Sequence, residues 1–328
     1  MLEYPTIGLD DFTVLNIPFL LSANKVDCAA INQGSGMHTR RGFIKSCTLA
    51  LIVAALAAGA MAKSCLWKVT SGGGTFYLQG SIHTLKTESY PLAPAIEKAY
   101  ADSKTLVLEV DMKEMASLET QQRIMAKAML PGTETLQQVL DADTYEKLSA
   151  ACAQAGLPVA ALAKLKPWFA TMTLVLFKLQ AMGFDPQYGL DAYFHNKATT
   201  DGKKVIGLET VDFQIDLFVS LSEKNPDDFV ARALADIDVL EEEIVPLEKA
   251  WAVGDIDTLG TLMSKSFEGY PELYKTFVLD RNARWIKTLE ALPGKSGTAM
   301  VVVGAGHLPG KGGLLELLRQ KGYALEQL

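Results

Sequence analysis

The sequence predicts a mixed α/β (α+β) protein, built on a central, mostly parallel sheet flanked by helices and carrying a helical insertion. Three observations predict this class. Strand-like runs lie toward both ends of the chain, whereas its middle reads as helix. Two of those runs, TLVLEV at 105–110 and TAMVVV at 298–303, are apolar almost throughout, the pattern of strands covered on both faces. With 49% of its 328 residues hydrophobic, the chain also has ample apolar side chain for a core, which excludes intrinsic disorder.

The elements follow in order. Residues 66–70 alternate like a strand, 71–74 (SGGG) turn, and 75–79 form a second strand. A short helix at 91–102 leads to the buried strand 105–110. Residues 113–129 are amphipathic, and Pro131-Gly132 ends that helix. A helix at 142–155 precedes a long apolar stretch, 158–182. Lys164, Lys166, Pro167 and Lys178 interrupt that stretch, so it reads as packed helices rather than a membrane span. Residues 189–198 are helical, 203–208 (KKVIGL) form a strand, and a helix opens at Val211. The acidic helix 227–257 carries Glu241, Glu242 and Glu243 on a solvated face. A helix at 272–291, the strong strand 298–303 and an amphipathic helix at 313–321 complete the chain. No solenoid-period repeat is present.

Residues 46–62 (SCTLALIVAALAAGAMA) are uncharged, follow Arg40, Arg41 and Lys45, and end in Ala60-Met61-Ala62. Basic, apolar and small-x-small regions in that order describe an export signal. Arg40-Arg41 directly ahead of the apolar run resembles a twin-arginine signal. The run falls short of the roughly 20 residues a span needs, so no stable membrane span is expected after cleavage. Residues 1–36 read as an extension ahead of Met37, the expected start. Residues 37–62 read as the export signal and 63–328 as a single domain. The expected location is periplasmic or extracellular, with membrane anchoring if the signal is retained.

Lys plus Arg total 31 against 38 Asp plus Glu, and the net charge of −7 has the wrong sign for nucleic acid. Four cysteines and four histidines exclude a disulfide-dense or multi-zinc scaffold. Cleavage after Ala62 leaves Cys65 and Cys152, either paired in an oxidising compartment or unpaired.

One motif occurs twice. Gly80-Ser81-Ile82-His83 follows one strand and Gly304-Ala305-Gly306-His307 follows another. A glycine lets the chain turn off the sheet without a Cβ clash, so each histidine projects from the rim. Glu109 interrupts the apolar run 105–110, and Glu209 follows 203–208. A carboxylate at the end of a buried strand is costly unless paired or metal-bound. If the strands are parallel, His83, Glu109, Glu209 and His307 meet at one rim, where α/β sheets bind ligands. Imidazoles with carboxylates suit zinc, manganese, cobalt or iron. Arg281 is a candidate ion-pair partner for Glu109, and Glu209 also reads as an acid opening the helix at Val211. Asp191 reads as a helix-start acid that can also orient the site. His195 reads as ordinary helix surface, and Trp168, Trp251 and Trp285 as core. Ser81 lies near His83, but no G-x-S-x-G elbow accompanies it.

These pieces together resemble the TraB/GumN family, which includes pheromone-shutdown proteins and the Tiki proteases. The likeness runs from LWKV at Leu66 through YLQGSIHTLK, LVLEVDM, YGLDAYF, KKVIGLET with Gln214, and RNARW to VVVGAGHLPGKGGLLELLRQKGY. The resemblance implies a central sheet flanked by helices and a metal-dependent hydrolytic site acting on a peptide or protein. By position it implies His83 and His307 as ligands of a divalent metal ion (Mn, Co or Zn). Glu109 would be the third ligand or carboxylate base, with Glu209 the second candidate. Arg281 would stabilise an oxyanion or serve as a buried counter-ion, with Asn282 hydrogen-bonding beside it. The alternative within the family is a non-catalytic protein that binds and sequesters a peptide or pheromone.

Overall fold

A computed structural model describes residues 63–292 and 298–328. The extension 1–36 and the export segment 37–62 lie outside the described residues. Six strands form one sheet: β1 (Leu66–Ser71), β2 (Gly74–Ser81), β3 (Thr105–Leu108), β4 (Lys204–Gly207), β5 (Ala299–Gly304) and β6 (Ala324–Gln327). Their order is β4-β3-β5-β2-β1-β6. The pairings β4–β3, β3–β5 and β5–β2 are parallel, while β2–β1 and β1–β6 are antiparallel. The predicted α/β class is the one observed, with an antiparallel margin.

β5 lies at the centre because its sequence suits no other place. Ala299 to Val303 are all buried, so residues facing either side of the sheet are covered. β6 has no apolar run and alternates between exposed and half-buried positions against β1, so it carries no strong strand signature in sequence.

The longer helices are α1 (Pro94–Asp102), which precedes β3, and α2 (Leu118–Ala128), α3 (Ala142–Ala155), α4 (Pro167–Ala181) and α5 (Leu190–Thr200), which lie between β3 and β4. After β4 come α6 (Val211–Lys224), α7 (Pro226–Ala252), α8 (Ile256–Ser266) and α9 (Asp280–Glu290), and α10 (Leu314–Gln320) precedes β6. The helical middle is therefore split by β4 into two stretches. α3 is bounded as its sequence dictates. Asp141 accepts a hydrogen bond from Thr144 N at 2.7 Å, and Gly156 ends the helix at φ 77. α4 opens with Pro167 and buries residues around its whole girth, which makes it a core helix. Among the described residues no helix is long and apolar enough to cross a membrane.

Two predicted helices are broken. The first, 113–129, divides into a turn at Met112–Met115 and α2, where Ser117 Oγ accepts from Thr120 N and starts a new helix. The second, 272–291, divides because Lys275–Leu279 winds as a π-helix before α9. That extra residue per turn re-phases α9, and Arg281, Asn282, Trp285 and Leu289 then share its buried face.

Cys65 and Cys152 are both buried and unpaired, which decides between the two sequence readings. Burial pushes the thiol of Cys65 up to about 12 and that of Cys152 up to about 11, so neither is a reactive nucleophile at neutral pH.

Candidate functional site

The four parallel strands end at one rim, and each delivers a polar residue there. β2 leads to His83, β3 to Glu109, β4 to Glu209, and β5 to Gly304 and His307. α9 adds Arg281 and Asn282 from the side. All six residues singled out in the sequence are thus brought together.

Arg281 is the hub. Its Nη2 donates to Glu109 Oε2 at 2.5 Å and to Glu209 Oε1 at 2.6 Å, and its Nε donates to Glu209 Oε1 at 2.9 Å. Nη1 donates to Phe277 O at 3.2 Å and lies 3.1 Å from His307 Nε2. Gln214 Nε2 bridges the same two carboxylates, at 3.1 Å from Glu109 and 2.8 Å from Glu209. Gly304 N donates to Glu109 Oε1 at 2.7 Å, and Trp285 Nε1 donates to Glu209 Oε2 at 3.0 Å. Arg281 therefore takes the counter-ion reading of the sequence, for both acids at once. The N-cap of α6 is Thr210, not Glu209, which instead faces Arg281.

Both histidines are held through Nδ1. Asn282 Nδ2 donates to the carbonyls of His307 and Gly312, so its Oδ1 must be the acceptor for His307 Nδ1 at 2.7 Å. His307 then presents an Nε2 lone pair, which accepts from Arg281. His83 Nδ1 pairs with Asp191 Oδ2 at 2.8 Å. Asp191 thus orients His83 as well as sitting in the first turn of α5.

The protonation states follow from these contacts. Burial alone would raise Glu109, but Arg281 beside it and the Gly304 N–H hold it well below the usual carboxylate range. Burial lowers His307 to about 3, with Glu109 opposing and Arg281 reinforcing the shift. Burial works against charge on His83 too, but Asp191 outweighs it and raises the imidazole to about 9. The His83 side chain is 40% exposed, so water screens that pairing.

His307 carries a pH consequence. Its folded pKa lies below the unfolded value, so the unfolded chain binds the extra proton. Stability is then lost as pH falls from about 6.5 toward 3. Urea unfolding of His307→Gln should show a smaller drop between pH 7 and pH 5 than the parent, by about 1–2 kcal/mol. Equal drops would mean that His307 is protonated in the fold.

Gly304 leaves a space among the site residues. A Cβ there would lie 3.3 Å from Glu109 Oε1, 3.4 Å from His83 Nε2 and 3.6 Å from His307 Cδ2. Among the described residues no group of three or more His, Cys, Asp or Glu side chains is already arranged to hold a metal ion. The donors fit one in kind. Two imidazoles clamped at Nδ1 and one carboxylate border a single space, and such Nδ1 partners are what orient ligating histidines. The contact that stands in the way is Arg281 Nη1 on His307 Nε2.

Gly189 positions the His83 loop. A Cβ on Gly189 would lie 2.1 Å from the His83 carbonyl oxygen, a backbone atom that cannot rotate away. Gly189→Ala should cost about 1–3 kcal/mol in urea unfolding and displace His83. An unchanged midpoint would show that α5 can slide without loss.

Sequence reading missed some partners. His195 is buried, at 8% exposure, rather than on the surface, because six of the eleven residues of α5 are covered and its buried face is broad. Trp285 is core as expected, yet also bonds Glu209. Trp251, likewise buried, donates to Gly80 O at 2.7 Å and holds the first Gly-x-x-His turn. Trp168 is core as expected, with its Nε1 buried and without a hydrogen-bond partner. Ser81 Oγ is buried with no hydrogen-bond partner, so no Ser–His pair forms. Glu241 and Glu242 are exposed, as predicted, and Glu243 pairs with Lys265.

A mixed α/β sheet whose four parallel strands gather histidines and buried carboxylates at their C-terminal rim defines the class. The chain belongs to the TraB/PrgY/gumN family, whose model matches residues 65–327. It is 27% identical over 251 residues to the uncharacterized protein YbaP of Escherichia coli (strain K12), covering 76% of this chain and 89% of that one. It is 26% identical over 246 residues to the uncharacterized protein YbaP of Shigella flexneri, covering 74% and 87%. No solved structure matches the chain.

Proposed function

We propose that this chain is an exported hydrolase of peptide or protein substrates, with the rim cluster as its site. His83, His307 and Glu109 would hold a divalent cation, Mn, Co or Zn, in the space beside Gly304. When bound, such an ion lowers the pKa of a water and polarises a carbonyl. The chain's own residues do the rest. Asp191 and Asn282 fix the two imidazoles through Nδ1, and Arg281 with Gln214 fixes the carboxylates.

The observation that carries this reading is the charge of the cluster. Glu109 and Glu209 hydrogen-bond to one guanidinium, Arg281, while a third carboxylate, Asp191, hydrogen-bonds to His83. A protonated His83 still leaves one negative charge in excess. Buried charge seeks compensation, and a divalent ion between two neutral imidazoles balances the sum. Export is supported by Arg40-Arg41, the uncharged run 46–62 and Ala60-Met61-Ala62, and residues 63–328 would then act outside the cytoplasm as a single domain.

The test is metal analysis of purified protein beside His83→Ala and His307→Ala. A divalent metal is expected in the parent and lost in both variants. Full occupancy in either variant removes that histidine from the ligand set. One observation favours a second reading, a non-catalytic peptide binder: Glu109 has both oxygens engaged by Arg281, Gln214 and Gly304. Peptide-library cleavage with added manganese or cobalt separates the two, because a binder releases no product.

A further inference from the structure

The rim cluster opens onto a pocket lined on one side by His83, Glu109, Asp191 and Gln214. Its other walls are apolar and include Leu108, Val110, Met112, Met115 and Ala192, all buried. They come from the end of β3, the turn that follows it, and α5. His83 and Glu109 border the same pocket, so it is continuous with the site. Methionines are unbranched and adapt their shape to an occupant, and two of these walls are methionine.

Gln214 also lines this pocket and is only 2% exposed. Its amide orientation is settled, because Nε2 must be the atom that faces two carboxylates. Its Oε1 is left buried with no hydrogen-bond partner. A buried acceptor without a donor is unfavourable, and a ligand that brings an N–H relieves it.

We propose that the pocket takes one leucine- or methionine-sized side chain of an extended peptide, and that Gln214 Oε1 receives the backbone N–H of that same residue. The apolar walls account for the side chain. The carboxylates of Glu109 and Asp191 on the pocket wall, together with the cost of desolvating a charge against apolar walls, select against Asp and Glu. This assignment names a substrate class for the proposed hydrolase and rests on that reading for its consequence, but peptide binding is measurable without turnover.

The experiment titrates acetyl-Ala-Xaa-Ala amides into the full-length protein and reads affinity by calorimetry or NMR. Xaa is Leu, Met, Gly or Asp, and a second series carries a methyl group on the Xaa nitrogen. Leu and Met should bind about tenfold tighter than Gly or Asp, and N-methylation should remove about tenfold. In Gln214→Met the N-methyl penalty should vanish. Should that variant fail to fold, Ala192→Leu fills the pocket instead and should abolish the Leu and Met preference while leaving the Gly peptide unaffected. Equal affinity across Xaa, or no binding at millimolar peptide, overturns the proposal. A side-chain preference without an N-methyl effect overturns the Gln214 contact. If selectivity holds but no peptide is cleaved, the hydrolase reading fails and the pocket assignment stands.

Discussion

Arg281→Met should destabilise the protein by about 3–5 kcal/mol at pH 7, as measured by urea unfolding. Arg281 is 7% exposed and Glu109 5%, so water cannot replace the guanidinium when it is removed. Two carboxylates would then be buried with only Gln214, Trp285 and Gly304 as donors. Arg281→Lys should recover less than half of the loss. An ammonium lacks the planar fork that reaches Glu109, Glu209 and His307 together. Glu109→Gln combined with Arg281→Met should recover more, because it removes an unpaired charge.

The pH dependence of that variant has a definite sign. In the parent, Glu109 is held well below the unfolded carboxylate value, so its contribution is present above that value and is lost as pH falls. Without Arg281, burial dominates and raises the carboxyl, so the folded variant gains a proton first. The deficit of Arg281→Met should therefore shrink between pH 7 and pH 5. Added manganese or cobalt should also restore stability to this variant if the cluster accepts a cation. A deficit below about 1 kcal/mol at pH 7 would mean that these acids are hydrated rather than desolvated.

The sequence made the site's primary residues legible for a physical reason. A parallel sheet carries its strand ends to one rim, so Gly80-Ser81-Ile82-His83, Gly304-Ala305-Gly306-His307, Glu109 and Glu209 could be placed from strand assignments alone. The sequence also offers Arg281 as a partner of Glu109 and Asp191 as an orienting acid, but not the individual pairings across the rim. Asp191 is 108 residues from His83, and Gln214 is 105 from Glu109, and no local pattern encodes such a contact. The phase of α9 depends on the π-helical turn ahead of it, which an amphipathic reading of 272–291 smooths over. β6 leaves no trace in the sequence because four residues at a sheet margin carry no apolar run. His195 was misplaced for the opposite reason, since a helix covered on a broad face gives little periodicity to read.

Gly304→Ala should separate the chemistry from the fold. The backbone at Gly304, φ −47 and ψ 131, is open to any L-residue, and its N–H can still donate to Glu109. The added methyl meets only the ends of side chains, at 3.3–3.6 Å, so stability should change by less than about 1 kcal/mol. That methyl nevertheless fills the space bordered by Glu109 Oε1, His83 Nε2 and His307 Cδ2. On the proposed reading, bound metal should be lost and hydrolysis should fall about 100-fold, since small displacements of reacting groups cost that much. The contrast with Gly189→Ala is diagnostic. There the methyl meets a backbone carbonyl at 2.1 Å, so stability falls with activity. Full metal content and turnover in Gly304→Ala would show that the reaction is not carried out between the two Gly-x-x-His turns. Loss of both with an unchanged urea midpoint would place the chemistry at the space beside Gly304.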